Sequence, residues 1–356
     1  MIRQMYKILV INPGSTSTEI ALFEDEKELR NAKEVHPVED LRRFGSVLEQ
    51  FPYRRALIRS LLSQWGVKWG DLDAVIGRSA LGDRKTGVYE INDRMVKDIR
   101  SGSAKIQHAA MLGALLAKDV ADAFGAQAFV DHVAFQNLTP LAAVSGLPGI
   151  ERIPAYHVQN IEAVASVAAR ELNKNPAKTN LVIAHMEGGM SIAALEGRKL
   201  LDVTSALDEG PFTTERSGTL PCNSLVELCF SGRYRKDEIL KMIRGEGGMV
   251  AYMGTNKLDE IEEWADRGDE RAAFYLEAMC YQAAKDIAAM ASVLKGKVDA
   301  VVLTGKILVS RRAVEWIRER TGFIAPLKTI PEEEMLSFVR SALRVLRGEE
   351  RPIVYE

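Results

Sequence analysis

Cysteine is scarce in this 356-residue chain: Cys222, Cys229 and Cys280 are the only three, and no CxxC pair occurs. A disulfide framework and a zinc knuckle both need clustered thiols, so both are excluded, and the thiols read as neutral groups kept in a reducing compartment. Excess charge is missing as well. Lys and Arg number 47 against 49 Asp and Glu, a formal charge of −2, and nucleic-acid modules usually carry a basic surplus. Long apolar runs are also absent. The opening MIRQMYKILVINPGS holds too short a run for a signal-peptide core, and residues 109–117 make only half a membrane span before Lys118 and Asp119. A soluble, cytoplasmic protein with neither a membrane nor a nucleic-acid partner is expected.

The familiar short motifs are lacking too. Gly296-Lys297 and Gly305-Lys306 are followed by Val298 and Ile307, so neither forms a phosphate loop ending in Lys-Ser/Thr. No GxGxxG opens a helix after the first strand, which excludes a dinucleotide fold, and neither HExxH nor GxSxG is present. What remains is an ordinary globular composition, 47% apolar and 27% charged, with length for about two domains.

The informative feature is a repeat. Residues 7–11 (KILVI) form a short β-branched run, stopped by Asn12-Pro13-Gly14-Ser15-Thr16-Ser17, and residues 19–24 (EIALFE) alternate as a second strand. The device recurs with LVIAHM at 181–186, Glu187-Gly188-Gly189, MSIAAL at 190–195, and a third strand at 199–203. Strands are then predicted at 74–77, 128–133, 298–304 and 323–330. Helices are predicted near 92–100, 105–124, 224–230, 236–243, 257–264, 271–294, 310–321 and 332–346. Strands first and helices after, twice over, indicate two α/β domains with a cleft between them. Gly146-Leu147-Pro148-Gly149 and Ile153-Pro154 carry hinge chemistry, which puts the boundary at 150. The domains are then 1–150, joined by a returning segment 331–356, and 151–330. A Gly/Ser/Thr turn offers backbone N–H groups and hydroxyls at close range, and two facing turns would cradle the phosphates of a nucleotide.

The segments INPGSTSTEIAL at 11–22, LDEGPFTTERSGTLP at 207–221, GMVAYMGT at 248–255 and SALRVLRGEE at 341–350 resemble the acetate/butyrate kinase family. That family lies within the larger group that includes sugar kinases, the Hsp70 ATPase and actin, and the likeness runs along nearly the whole chain. It implies two duplicated actin-like (ribonuclease H-like) α/β domains with an inter-domain nucleotide cleft. The reaction implied is reversible phosphoryl transfer from ATP, with Mg²⁺, to a short carboxylate, with butyrate the favoured acceptor and butyryl phosphate and ADP the products. Alternatives are a kinase for acetate or branched short acids and a non-catalytic relative with impaired ATP binding. A homo-oligomer is implied as well.

A carboxylate is already ionised at neutral pH, so this chemistry needs cations and hydrogen-bond donors rather than a base. By the resemblance, Arg216 is the catalytic arginine, Arg78 holds the substrate carboxylate, and His157 stabilises the transition state. His185, Gly188, Gly189 and Gly305 line the phosphates in the second half, with Asn12, Ser15 and Ser17 as donors in the first. Asp131 and Glu334 form the acidic pair for the metal, with Glu332 and Glu333 as neighbours of the latter. Ser79, Ala80 and Tyr156 flank the acyl pocket. His36, His108 and His132 read as structural. The chain departs from the family pattern at Glu19, Ser79-Ala80, Glu187, Lys257, Asp259 and Lys306, most of them in nucleotide loops.

Overall fold

A computed structural model describes residues 5–14, 17–41, 43–79, 81, 84–101, 109–133, 136–331 and 334–356. The chain divides into two compact units. The first comprises Met1–Phe135 with Glu334–Glu356, the second Gln136–Glu333.

In the first unit β1 (Lys7–Pro13), β2 (Ser17–Glu24) and β3 (Lys27–Val35) form an antiparallel meander. To it are added β4 (Ala74–Arg78), β5 (Gly87–Glu90) and β6 (Gln127–His132), in the order β3-β2-β1-β4-β6-β5. β4 runs parallel to β1, and β6 parallel to β4. Both faces of this sheet are covered, which is why β1 reads as an unbroken apolar run. Leu9, Ile11, Ile20, Leu22 and Val75 pack against helices Phe51–Gln64 and Met111–Phe124. Ile8, Val10, Ala21, Phe23 and Ile76 pack against Phe338, Val339, Ala342 and Leu343 of helix Glu334–Leu346. Glycine permits the tightest contact: a Cβ on Gly77 would stand 2.4 Å from the Gly113 carbonyl oxygen.

The second unit repeats the plan. β7 (Asn180–Met186), β8 (Met190–Glu196) and β9 (Lys199–Val203) form the meander, and β10 (Ala300–Thr304) and β11 (Leu327–Thr329) follow, in the order β11-β10-β7-β8-β9. β10 is parallel to β7 as β4 is to β1. Val182, Ala184, Met186, Val301 and Leu303 face helices Leu258–Asp266, Glu270–Val293 and Arg311–Thr321. The other face carries helix Val158–Glu171, which packs on β7 and β10.

Some expected bounds shift. The helix expected over 105–124 is seen as Met111–Phe124, with 102–108 outside the described residues. The strand expected over 323–330 shrinks to Leu327–Thr329, because Phe323 sits in the turn leaving the preceding helix and is 80% exposed. Residues 136–150 fall in the second unit, fastened to the edge of its sheet. The Gln136 amide donates to the Arg198 carbonyl at 3.0 Å and accepts from the Leu200 N–H at 2.9 Å, and Thr139 Oγ1 donates to the Leu201 carbonyl at 3.0 Å.

Candidate active site

The register of the first sheet sets three proposed site residues in a row. Ile11 pairs with Gly77, so Asn12 comes level with Arg78, and Arg78 pairs in turn with Asp131. Register partners on parallel strands point to one face, and here that face carries helix Glu334–Leu346. Asn12 Nδ2 donates to Glu334 Oε2 at 3.2 Å, while Arg78 Nη1 reaches Asn12 Oδ1 and Glu334 Oε1, each at 3.5 Å. These contacts are long, so most of the Arg78 fork is left for another anion. Asp131 Oδ2 accepts from Ser341 Oγ at 2.7 Å, and burial pushes its carboxyl up to about 6 against the pull of that hydroxyl and of Arg344.

Glu334 and Ser341 are seven residues apart on the helix, about 10 Å along its axis, so Asp131 and Glu334 are held at different levels. No three metal-ligating side chains gather among the described residues. Ser79 is buried, its Oγ donating to the Asp131 carbonyl at 3.1 Å. Ser15, Ala80, His108, Glu332 and Glu333 lie outside the described residues.

The turn after β1 is braced from behind. Gly14 N donates to the Ser17 carbonyl at 2.9 Å. Arg54, fully buried on helix Phe51–Gln64, donates from Nη1 to the same carbonyl at 2.7 Å and to Thr18 Oγ1 at 3.0 Å. His36 Nε2 shares that hydroxyl at 2.8 Å, and burial together with the Arg54 charge holds this imidazole down at about 4. Glu19 is turned to the β3 edge, 3.5 Å from Lys33.

In the second unit the β7–β8 turn and the loop after β9 close on each other. Thr213 Oγ1 donates to the Gly188 carbonyl at 2.6 Å and accepts from the Glu215 and Arg216 N–H groups at 3.1 and 3.0 Å. The Arg216 guanidinium therefore lies on Gly189, where a Cβ would stand 2.5 Å from Nη1. Nη1 donates to the Ala206 carbonyl. Burial, opposed by Glu215 and aided by Arg244, lowers the Arg216 pKa, yet a guanidinium stays charged at any working pH. Gly305, at φ 89°, lies against the same turn, its Cβ position 2.8 Å from the Met186 carbonyl oxygen and 3.0 Å from Glu187 Cγ. The structure thus brings Gly188, Gly189, Arg216 and Gly305 together.

The two histidines meet beside them. His157 caps helix Val158–Glu171, and its Nδ1 lies 2.8 Å from Ser191 Oγ. Its ring centroid is 4.2 Å from that of His185. His185 is 1% exposed, and neither ring nitrogen has a hydrogen-bond partner. Burial first, and His157 second, hold its pKa well below the usual value, so it is neutral. Tyr156 is buried with its phenol pushed up to about 12, accepting from the Gln136 N–H at 3.3 Å.

A 42% identity over 354 residues relates the chain to the probable butyrate kinase 2 of Caldanaerobacter subterraneus, covering 99% of this chain and 100% of the relative. The butyrate kinase 2 of Clostridium acetobutylicum is also 42% identical, over 355 residues and 99% of each chain. The profile of the acetokinase family matches residues 146–320. The chain belongs to the acetokinase family.

Among solved structures, the acetate kinase of Porphyromonas gingivalis superposes with a TM-score of 0.74 at 19% identity, over 96% of this chain and all of the other. The propionate kinase of Francisella tularensis gives 0.69 at 18%, over 95% and 99%. These likenesses are of fold, and they fit the duplicated actin-like plan seen in the two sheets. As an acetokinase-family kinase the chain uses ATP.

Sequence reading passed over several residues that this geometry makes prominent in the family member: Ser191, Ser341, Thr213 and Arg54. Ser191 carried a signal, a hydroxyl in an otherwise apolar strand, and it is fully buried. Of the loop departures, Lys257 pairs with Glu260 at 2.6 Å, and Glu187 lies over Gly305. Lys306 is exposed.

Proposed function

We propose that this chain is a short-chain fatty-acid kinase, transferring a phosphoryl group reversibly between ATP and butyrate. The observation that carries the reading is 42% identity across the whole length of relatives named butyrate kinase; the cation Arg78 in the first unit and Arg216, His157 and His185 in the second are groups of the kind this chemistry uses. Butyrate arrives as its carboxylate, so no base is required. One carboxylate oxygen forms a bond to the γ-phosphorus as the bond from that phosphorus to the β–γ bridging oxygen breaks, and ADP leaves with the electron pair.

Arg78 holds the butyrate carboxylate with the part of its fork that Asn12 and Glu334 leave open. Arg216, kept on Gly189 by Thr213, neutralises charge on the transferring group. His157 is oriented by Ser191 and donates alongside it. His185, uncharged, can donate from its one N–H without adding a positive charge. Asn12, Ser15 and Ser17 of the first unit, and Gly188, Gly189 and Gly305 of the second, are the groups assigned to the nucleotide phosphates.

Mg²⁺ fits the residues present. Asp131 is a desolvated carboxylate with a raised pKa, which a cation would relieve, and it offers hard oxygens of the type Mg²⁺ takes beside water and phosphate, with Glu334 a second carboxylate at another level of the same row. When bound, the ion would neutralise phosphate charge. The remaining parts of the proposal are a homo-oligomer and a cytoplasmic setting. Supporting the latter, Cys222, Cys229 and Cys280 are all free thiols, and no described helix is long and apolar enough to cross a membrane.

The test is an acyl-phosphate trap. Purified protein with Mg·ATP, butyrate and hydroxylamine should yield butyryl hydroxamate, in greater amount than acetate yields its own product, and Arg216→Ala should abolish both. A folded protein that makes no product with any short acid would overturn the reading.

A further inference from the structure

Among the described residues seven buried side-chain polar atoms have no hydrogen-bond partner, and five belong to His185, Thr304 and Asn160. These residues are 1%, 0% and 4% exposed. The other two atoms sit on Gln159 and Glu262, residues that are only half buried. The five sit on facing elements. His185 and Thr304 are register partners at the ends of β7 and β10. Their neighbours Ala184, Met186 and Leu303 face the opposite core, so by strand alternation His185 and Thr304 face helix Val158–Glu171. Asn160 lies on the buried side of that helix with Val158, Ile161 and Val164, one turn beyond the His157 ring that rests on His185.

Native proteins pair more than about nine in ten of their buried polar groups, because an unmet one forfeits its hydration. Five such atoms on a helix and the two strand ends it packs on call for partners of the kind an oxygen-rich ligand supplies. The helix adds to this. It is 14 residues long, its cap residue His157 makes no side-chain bond to the first-turn N–H groups, and its N-terminal dipole favours negative charge.

We propose that Asn160 is a further catalytic residue. Its side-chain amide donates to an oxygen of the phosphoryl group in transfer, and the Thr304 hydroxyl serves a neighbouring oxygen. This rests on the kinase reading above. Both groups are neutral and non-titrating, so they stabilise spreading phosphoryl charge in a dry site whatever the pH.

The test uses Asn160→Leu, close to isosteric but apolar, and Thr304→Val, in the full-length protein. The Asn160 amide makes no hydrogen bond to the rest of the protein, so Asn160→Leu should leave the thermal midpoint unchanged or higher. Its kcat for butyryl hydroxamate should fall about 10²- to 10³-fold, as when one transition-state donor is removed, with the KM for Mg·ATP changed less than about threefold. Inorganic phosphate should raise the midpoint of the wild type and raise that of Asn160→Leu less. Thr304→Val should fold normally and lose about tenfold in kcat.

A midpoint lowered by Asn160→Leu, or failure of that variant to fold, would mean the amide has a structural partner and would overturn the proposal. So would an unchanged kcat in both variants. If the wild type itself makes no hydroxamate, the kinase reading falls, and an equal phosphate effect on wild type and variant would then dispose of Asn160 as well.

Discussion

Arg54 and His36 show how much of the first turn's shape is decided by residues that touch no substrate. A fully buried guanidinium fixes Ser17 and Thr18, and a neutral imidazole accepts from, or donates to, the same threonine hydroxyl. With its pKa near 4 in the fold and about 6.5 when unfolded, His36 binds its proton more readily in the unfolded chain. The stability it supports is therefore complete above about pH 6.5 and is lost as the pH falls from there towards 4, on the order of 3 kcal/mol in all. Replacing it by Gln keeps a polar partner for Thr18 and should flatten that part of the curve. Urea midpoints measured from pH 4 to 8 check this, and an equal slope in wild type and His36→Gln would refute it.

At the scale of elements, helix Glu334–Leu346 does two jobs at once. One side buries Phe338, Val339, Ala342 and Leu343 on the first sheet, and the same side brings Glu334 and Ser341 to the row of Asn12, Arg78 and Asp131. Phe338→Ala should cost about 3–5 kcal/mol, the usual range for a buried phenylalanine. It should also weaken Mg·ATP binding more than a change of equal cost on the far face, such as Leu62→Ala. Denaturant unfolding with and without Mg·ATP separates the two effects.

Legibility follows the same division between patterned and unpatterned elements. The two β-hairpins were readable because β-branched runs ending in Gly/Ser/Thr turns recur at matched places in the two halves, while Arg78 and Arg216 were singled out through the family resemblance. By contrast, β3 (KELRNAKEV) is an edge strand whose charged residues hide its pairing. Helix Val158–Glu171 was missed although its apolar residues recur at helical spacing, and Asn160 was missed with it. Ser191, Ser341 and Thr213 act through hydrogen bonds made across the fold, which no local pattern announces.

The whole molecule is one plan used twice, with the first unit completed by a segment that follows the second. That connectivity bears on how the protein is made. Roughly 200 residues of the second unit leave the ribosome between the two parts of the first. At ~5–20 residues per second, the opening sheet waits about 10–40 s without the helix that covers one of its faces. Ile8, Val10, Ala21, Phe23 and Ile76 stay unsheltered for that time. A nascent chain stalled before Glu334 has emerged should therefore show a protease-resistant second unit and a labile first one, the reverse of the order of synthesis. Equal resistance of both units at that stage would show that the first sheet stands without its helix. If it does not, the unit that is translated first is the last to fold, and a chaperone that shields exposed strands belongs to the protein's normal synthesis.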